Sequence, residues 1–168
     1  MMDRKRASDL TLEVDGAQYF PGAALGALDA LQAAIAGLPG EQAGVRIHGI
    51  AALSPVLAAD GTIGSLASGF LGNGCRPVRA ILFDKTAATN WSLAWHQDRT
   101  ICVRQRREVE GYGPWSVKRG MQHVAPPFEL LAGMVTLRVH LDDVSADNSP
   151  LLIAPGSHAI GPVPVDGY

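Results

Sequence analysis

Trp95-His96-Gln97-Asp98 and Pro155-Gly156-Ser157-His158 are the two short stretches on which the reading of this chain turns. On an extended strand, residues i and i+2 point to the same face, so His96 and Asp98 can offer an imidazole nitrogen and a carboxylate oxygen to one ion. His158 lies about sixty residues further on. From a distant strand it can supply a third ligand and leave the opposite face of the metal open. Two His and one carboxylate with open positions is the donor set of non-haem Fe(II) oxygenases. His-x-Asp alone is a weak signal, because short matches occur by chance. The same pair followed at this distance by Pro-Gly-Ser-His, with strand-like sequence between, is far more specific.

Outward from these motifs, residues 78–83, 101–104, 135–141 and 151–154 are β-type runs separated by loops. Between the second and third, residues 106–127 carry Gly111, Gly113, Pro114, Gly120, Pro126 and Pro127. They read as a long irregular excursion, and such loops are usually lids or binding loops. The part before Pro77 differs in texture. Leu10, Leu12 and Val14 alternate, Asp15-Gly16 supplies a turn and Tyr19-Phe20 returns, which predicts a hairpin over 10–20. Leu25, Leu28, Leu31 and Ile35 form an apolar stripe that predicts a helix over 23–36, ended by Gly37 and Pro39. Residues 45–50 suit a strand. A helix is expected over 54–59, with Ser54 as N-cap and Pro55 at its first position, and another over 63–71, weakened by Gly64 and Gly69. Helices first and strands after predict a mostly β fold with flanking α, an antiparallel sheet or barrel with helices on one face. One domain is expected over 1–168, with residues 1–76 as hairpin and helices and 77–168 as the β core.

Composition agrees. With 168 residues and 17.7 kDa the chain suits one domain, and 47 % apolar against 18 % charged residues is a globular balance. A formal charge of −2 leaves no basic field for nucleic acid. Nineteen Gly and eleven Pro favour a turn-rich fold over a helical bundle. The apolar stretch 23–38 is broken by Asp29 and Gln32, so no membrane span is expected. No apolar signal core follows Met1-Met2-Asp3-Arg4-Lys5-Arg6, and a cytoplasmic location is the expectation. Cys75 and Cys102 lack C-x-x-C spacing and read as small buried apolar residues in a reducing compartment.

Residues 78–161 resemble the phytanoyl-CoA dioxygenase family of Fe(II)- and 2-oxoglutarate-dependent oxygenases. The resemblance is carried by Phe83-Asp84-Lys85 with Asn90-Trp91, by Trp95-His96-Gln97-Asp98, and by Val139-His140-Leu141-Asp142-Asp143. Asp147-Asn148-Ser149-Pro150-Leu151 running into Pro155-Gly156-Ser157-His158 completes it. It implies a double-stranded β-helix, a jelly-roll, cupin-like barrel flanked by N-terminal helices. It implies that His96, Asp98 and His158 are the metal ligands and catalytic residues, with Fe(II) as the metal and 2-oxoglutarate as cosubstrate. Lys85 and His140 match positions that face 2-oxoglutarate. Asn90 reads equally as an Asx-turn cap and as a polar pocket contact. Gln97 sits between the ligands, but strand alternation turns its side chain away. Ser149 stands where the family more often has Gly.

The larger departure is downstream of His158. In the family an Arg about ten or eleven residues beyond the distal His pairs with the far carboxylate of 2-oxoglutarate, for which its planar fork is suited. Here the tenth residue beyond His158 is Tyr168, and no Arg follows Arg138. The final barrel strands that would carry that Arg are not expected within these residues. Three readings stand: a truncated chain, a chain using another cation, or an inactive relative. In 134–142, Thr136, Arg138 and His140 share one face and Val135, Leu137, Val139 and Leu141 the other. Arg138 is therefore a candidate substitute anchor together with Lys85, unless it pairs with Asp142.

The function expected from the resemblance is hydroxylation, or a related oxidation, of a small organic substrate by dioxygen with decarboxylation of 2-oxoglutarate. Asp98 argues against halogenation, because related halogenases carry a small residue there. The alternative is a non-catalytic metal- or small-ligand-binding barrel. A zinc hydrolase fits less well, since no H-E-x-x-H general base is present. Arg104, Arg106, Arg107, Lys118 and Arg119 make the mid-chain loop basic, either as a solvated face or as the attraction for an anionic substrate. His48 and His123 read as structural or solvent-facing, His123 with a chance of reaching substrate from the loop. Trp91, Trp95 and Trp115 read as core or pocket-wall aromatics. Oligomeric state stays open, although exposed strand edges would favour self-association.

Overall fold

The computed structural model describes residues 5–40, 42, 44–86, 89, 94–145 and 150–164. Helix α1 (Leu12–Asp15) is a single turn closed by Gly16, whose φ is 72° and whose N–H donates to the Leu12 carbonyl at 3.0 Å. The hairpin expected over 10–20 is not formed. Asp-Gly ends a helical turn here, because left-handed glycine closes a helix as readily as it turns a hairpin. The Asp15 carboxylate supports that choice by accepting from the Thr11 N–H at 3.0 Å.

The helix expected over 23–36 is present as a 3₁₀ turn, Leu25–Ala27, running into α2 (Leu28–Ile35). Its buried face is shifted: Ala27 and Leu31 are buried, whereas Leu25 is 70 % exposed. The tighter 3₁₀ start changes the phase of the stripe relative to a uniform α-helix. Helix α3 (Ser54–Leu57) follows directly from a 3₁₀ turn, Ala51–Leu53, so Ser54 lies inside the helix and makes no side-chain cap. Helix α4 (Gly64–Leu71) folds back over α3. Gly64 is needed there, since a Cβ on it would strike the carbonyl oxygens of Leu57 and Ala58. Ala27, Leu31, Leu53 and Ile63 form the helical core, with Val56, Leu57, Ile47 and Ile50 packed around it. Full burial of a side chain such as Leu31 or Ile63 is worth about 2 kcal/mol.

Among the described residues two small antiparallel sheets accompany these helices, and neither is closed. In the first, β1 (Val45–Ile47) pairs with β2 (Ala80–Leu82), Arg46 opposite Ile81. In the second, β3 (Ile101–Val103), β4 (Trp115–Lys118) and β5 (Met121–Val124) lie in the order β3-β5-β4. Cys102 and Ser116 both stand opposite His123. The irregular excursion expected over 106–127 is thus half hairpin. Arg119 (φ 50°) and Gly120 (φ 78°) form its two-residue turn, both left-handed as a type I′ turn requires. Helix α5 (Phe128–Ala132), behind Pro126-Pro127, was not legible as a helix.

Residues 135–141 and 151–154 are not paired as strands among the described residues. The first run nonetheless alternates as expected. Leu137, Val139 and Leu141 pack on the helical core, and Gln32 Nε2 donates to the Leu141 carbonyl at 3.4 Å. Thr136, Arg138 and His140 are exposed on the other face. Leu151 and Leu152 lie on the surface. Cys75 and Cys102 are free thiols, half-buried rather than buried. No helix among the described residues is long and apolar enough to cross a membrane.

Candidate functional site

The segment carrying His96 and Asp98 lies against the segment that follows His158, and Gln97 joins them. Its Nε2 donates to the Gly161 carbonyl at 2.8 Å, and its Oε1 accepts from the Val163 N–H at 2.9 Å. Arg99 adds Nη2 contacts to Gln97 Oε1 at 3.1 Å and to the Val163 carbonyl. Exposure alternates from His96 to Arg99, with His96 and Asp98 outward and Gln97 half-buried. The property that counted against Gln97 as a site residue, its opposite facing, is what lets it reach the neighbouring backbone. That alternation was the available signal, along with the two-sided hydrogen-bonding capacity of an amide.

His96 Nδ1 lies 2.8 Å from the Ala94 carbonyl. A carbonyl only accepts, so Nδ1 carries a proton, and the tautomer this contact selects has its lone pair at Nε2. The Asp98 carboxylate has Arg79 Nη2 at 3.8 Å and is 68 % exposed, so this pairing orients it loosely.

His158 sits differently. It belongs to the 3₁₀ turn Ser157–Ile160, entered through Gly156 at φ 80°. The Gly156 N–H donates to the Asp15 carbonyl at 2.9 Å, and His158 Nε2 donates to the Glu13 carbonyl at 3.3 Å. The imidazole covers Gly16 so closely that a Cβ there would collide with it. Asp15 below is nearly buried and takes the Lys5 ammonium at 2.7 Å. That hydrogen bond, together with the one from Thr11 N–H, holds its carboxyl below the usual carboxylate range; burial opposes the shift, and the charges of Lys5 and His158 add to it. This cap under His158 was misread as a hairpin turn, so its contact with the distal motif was missed.

Two imidazoles and a carboxylate suit divalent iron chemically, and Gln97 keeps their segments together. The side chains themselves are not gathered: among the described residues no three His, Cys, Asp or Glu side chains stand where one metal ion could be held. Lys85 follows β2 and is half-buried, while Arg138 and His140 lie on one exposed face. Among the described residues Arg138 pairs with no carboxylate, Asp142 included. Asn90, Trp91, Asp147, Asn148 and Ser149 lie outside the described residues.

Other expectations need correction. His123 is fully buried at the centre of its sheet, with Nδ1 3.0 Å from the Met121 carbonyl. It belongs to a strand rather than to a loop and cannot reach a substrate at the surface. Trp95 is 55 % exposed rather than packed, because residues 94–100 have no sheet pairing to give that face a neighbour. Trp115, by contrast, walls a cavity.

No curated protein and no solved structure matches the chain significantly. The model of the phytanoyl-CoA dioxygenase family (PhyH) matches residues 54–167, more than half of the sequence and including both motifs. The chain therefore belongs to the phytanoyl-CoA dioxygenase family, an oxygenase family of the Fe(II)- and 2-oxoglutarate-dependent type.

Proposed function

We propose that this protein is an Fe(II)- and 2-oxoglutarate-dependent dioxygenase that hydroxylates, or otherwise oxidises, a small organic substrate on a jelly-roll framework. Beyond family membership, one observation carries the reading: the Gln97 amide joins the His96–Asp98 segment to the backbone just after His158. Two segments far apart in sequence are thereby joined, and each carries part of the donor chemistry that an iron site needs. His96, Asp98 and His158 would hold the metal, which when bound supplies the activation of dioxygen and the chelation of the 2-oxoacid.

The chain's own groups have definable tasks. The Ala94 carbonyl fixes the tautomer of His96 and raises the basicity of Nε2. Arg79 restrains the Asp98 carboxylate. His158 has Nε2 occupied by Glu13 and its other nitrogen over Gly16, so its ring must leave the α1 cap to act as a ligand. Arg138, unpaired among the described residues and sharing a face with His140, suits the far carboxylate of 2-oxoglutarate, with Lys85 as the second cation.

Anaerobic titration with Fe(II) and then 2-oxoglutarate tests this. The expected result is a weak, saturable visible charge-transfer band that is lost in His96→Ala and weakened in Arg138→Gln. Iron binding without the band would favour the alternative, a non-catalytic metal-binding barrel. Absence of iron binding would overturn the ligand assignment.

A further inference from the structure

Arg104, Gln105, Arg107, Val109 and Tyr112 line, with Val103 of β3, Trp115 of β4 and Val124 of β5, an open cavity of about 410 Å³. Small-molecule sites commonly have this size. Its walls are apolar and aromatic: Val103, Val109, Tyr112 and Trp115, with Val124 fully buried behind them. Its charged lining is cationic, from Arg104 and Arg107.

The adjoining Arg106 shows what compensation looks like in this loop. Its guanidinium pairs with Glu108 at 2.7 Å and stacks over Trp115, 5.5 Å from the ring centre. Arg104 and Arg107 have no carboxylate partner among the described residues. Among the described residues a neutral group holds Arg107: the Gln105 amide oxygen, once oriented by its surroundings, accepts from Nε at 2.6 Å and Nη2 at 2.9 Å. The guanidinium is thus aimed without being neutralised. Trp115 Nε1 is buried and has no partner among the described residues.

We infer that this cavity binds a small organic carboxylate, its planar apolar body against Tyr112 and Trp115 and its carboxylate on Arg104 and Arg107. Apolar walls take the body, and two uncompensated guanidinium forks take the head. As the substrate class of the oxygenase this rests on the reading above; as a binding site it stands without the metal.

The probe is 2-naphthoate, titrated in EDTA and followed by the indole N–H signal of Trp115, assigned by its loss in Trp115→Phe. A saturable shift is expected. Charged hydrogen bonds contribute about 1.5–3 kcal/mol each, so affinity should fall at least about tenfold in Arg104→Gln/Arg107→Gln and for neutral 2-naphthalenemethanol. Lys118→Gln, at the far end of β4, should bind like the parent and so separates a local site from general charge attraction. No saturable shift, equal binding of the alcohol, or equal loss in Lys118→Gln would each overturn the inference. Because EDTA removes iron, failure here with a positive 2-oxoglutarate band strikes only the cavity, and the reverse result strikes only the oxygenase reading.

Discussion

Gln97 and Gly16 are the residues whose removal reports most directly on how the motif segments are held. Gln97→Ala deletes the acceptor for the Val163 N–H and the donor to the Gly161 carbonyl. Leaving such groups unpaired costs about 1–3 kcal/mol when buried, and less here because Gly161 and Val163 are only half-buried. Hydrogen exchange should show the loss at Val163 rather than across the helical layer. Uniform protection in the variant would mean that Gln97 does not join these segments. Gly16→Ala forces a side chain into left-handed backbone at φ 72° and into the His158 ring. The backbone part costs about 1–2 kcal/mol, measured as a lower urea midpoint. Pairing it with His158→Ala should recover part of the loss, since only the collision is relieved. Strict additivity would show that the imidazole does not rest on Gly16.

Among the elements, α1 acts through Asp15. Its folded-state carboxyl titrates below the unfolded one, chiefly through the Lys5 hydrogen bond and then that of Thr11. The associated stability is therefore fully present above the unfolded value, about pH 4, and is lost as pH falls through the lower folded value. Unfolding midpoints followed from pH 6 to pH 3 should decline at the acid end in the parent, and less steeply in Asp15→Asn. Parallel declines would place the acid sensitivity elsewhere. The hairpin of β4 and β5 teaches a different lesson. Its Arg119-Gly120 turn lacks the Asn-Gly or Asp-Gly signature, and Arg119 takes positive φ because the ladder from Trp115–Val124 to Lys118–Met121 demands it. Pairing energy overrode a local preference, which is why a loop was expected there.

At the scale of the whole molecule, the family match covers residues 54–167, while the core it rests on draws Ala27 and Leu31 from before that span. The N-terminal layer therefore serves the family domain from outside it, through Leu137, Val139 and Leu141 and through the cap beneath His158. The helix over 23–36, the α4 helix, the strand at 45–47 and the two faces of 135–141 were legible, because periodicity and breakers are local properties of a chain. The spacing of His96, Asp98 and His158 made the family legible, and the match over 54–167 includes all three. Three things were decided only in three dimensions: Asp15-Gly16 as a helix end rather than a hairpin, residues 115–124 as a hairpin rather than a loop, and the partners of Gln97 and His158. Each depends on which distant backbone groups are left to be satisfied. Hydrogen-bond satisfaction is a property of the packed chain, and no stretch of sequence states it alone.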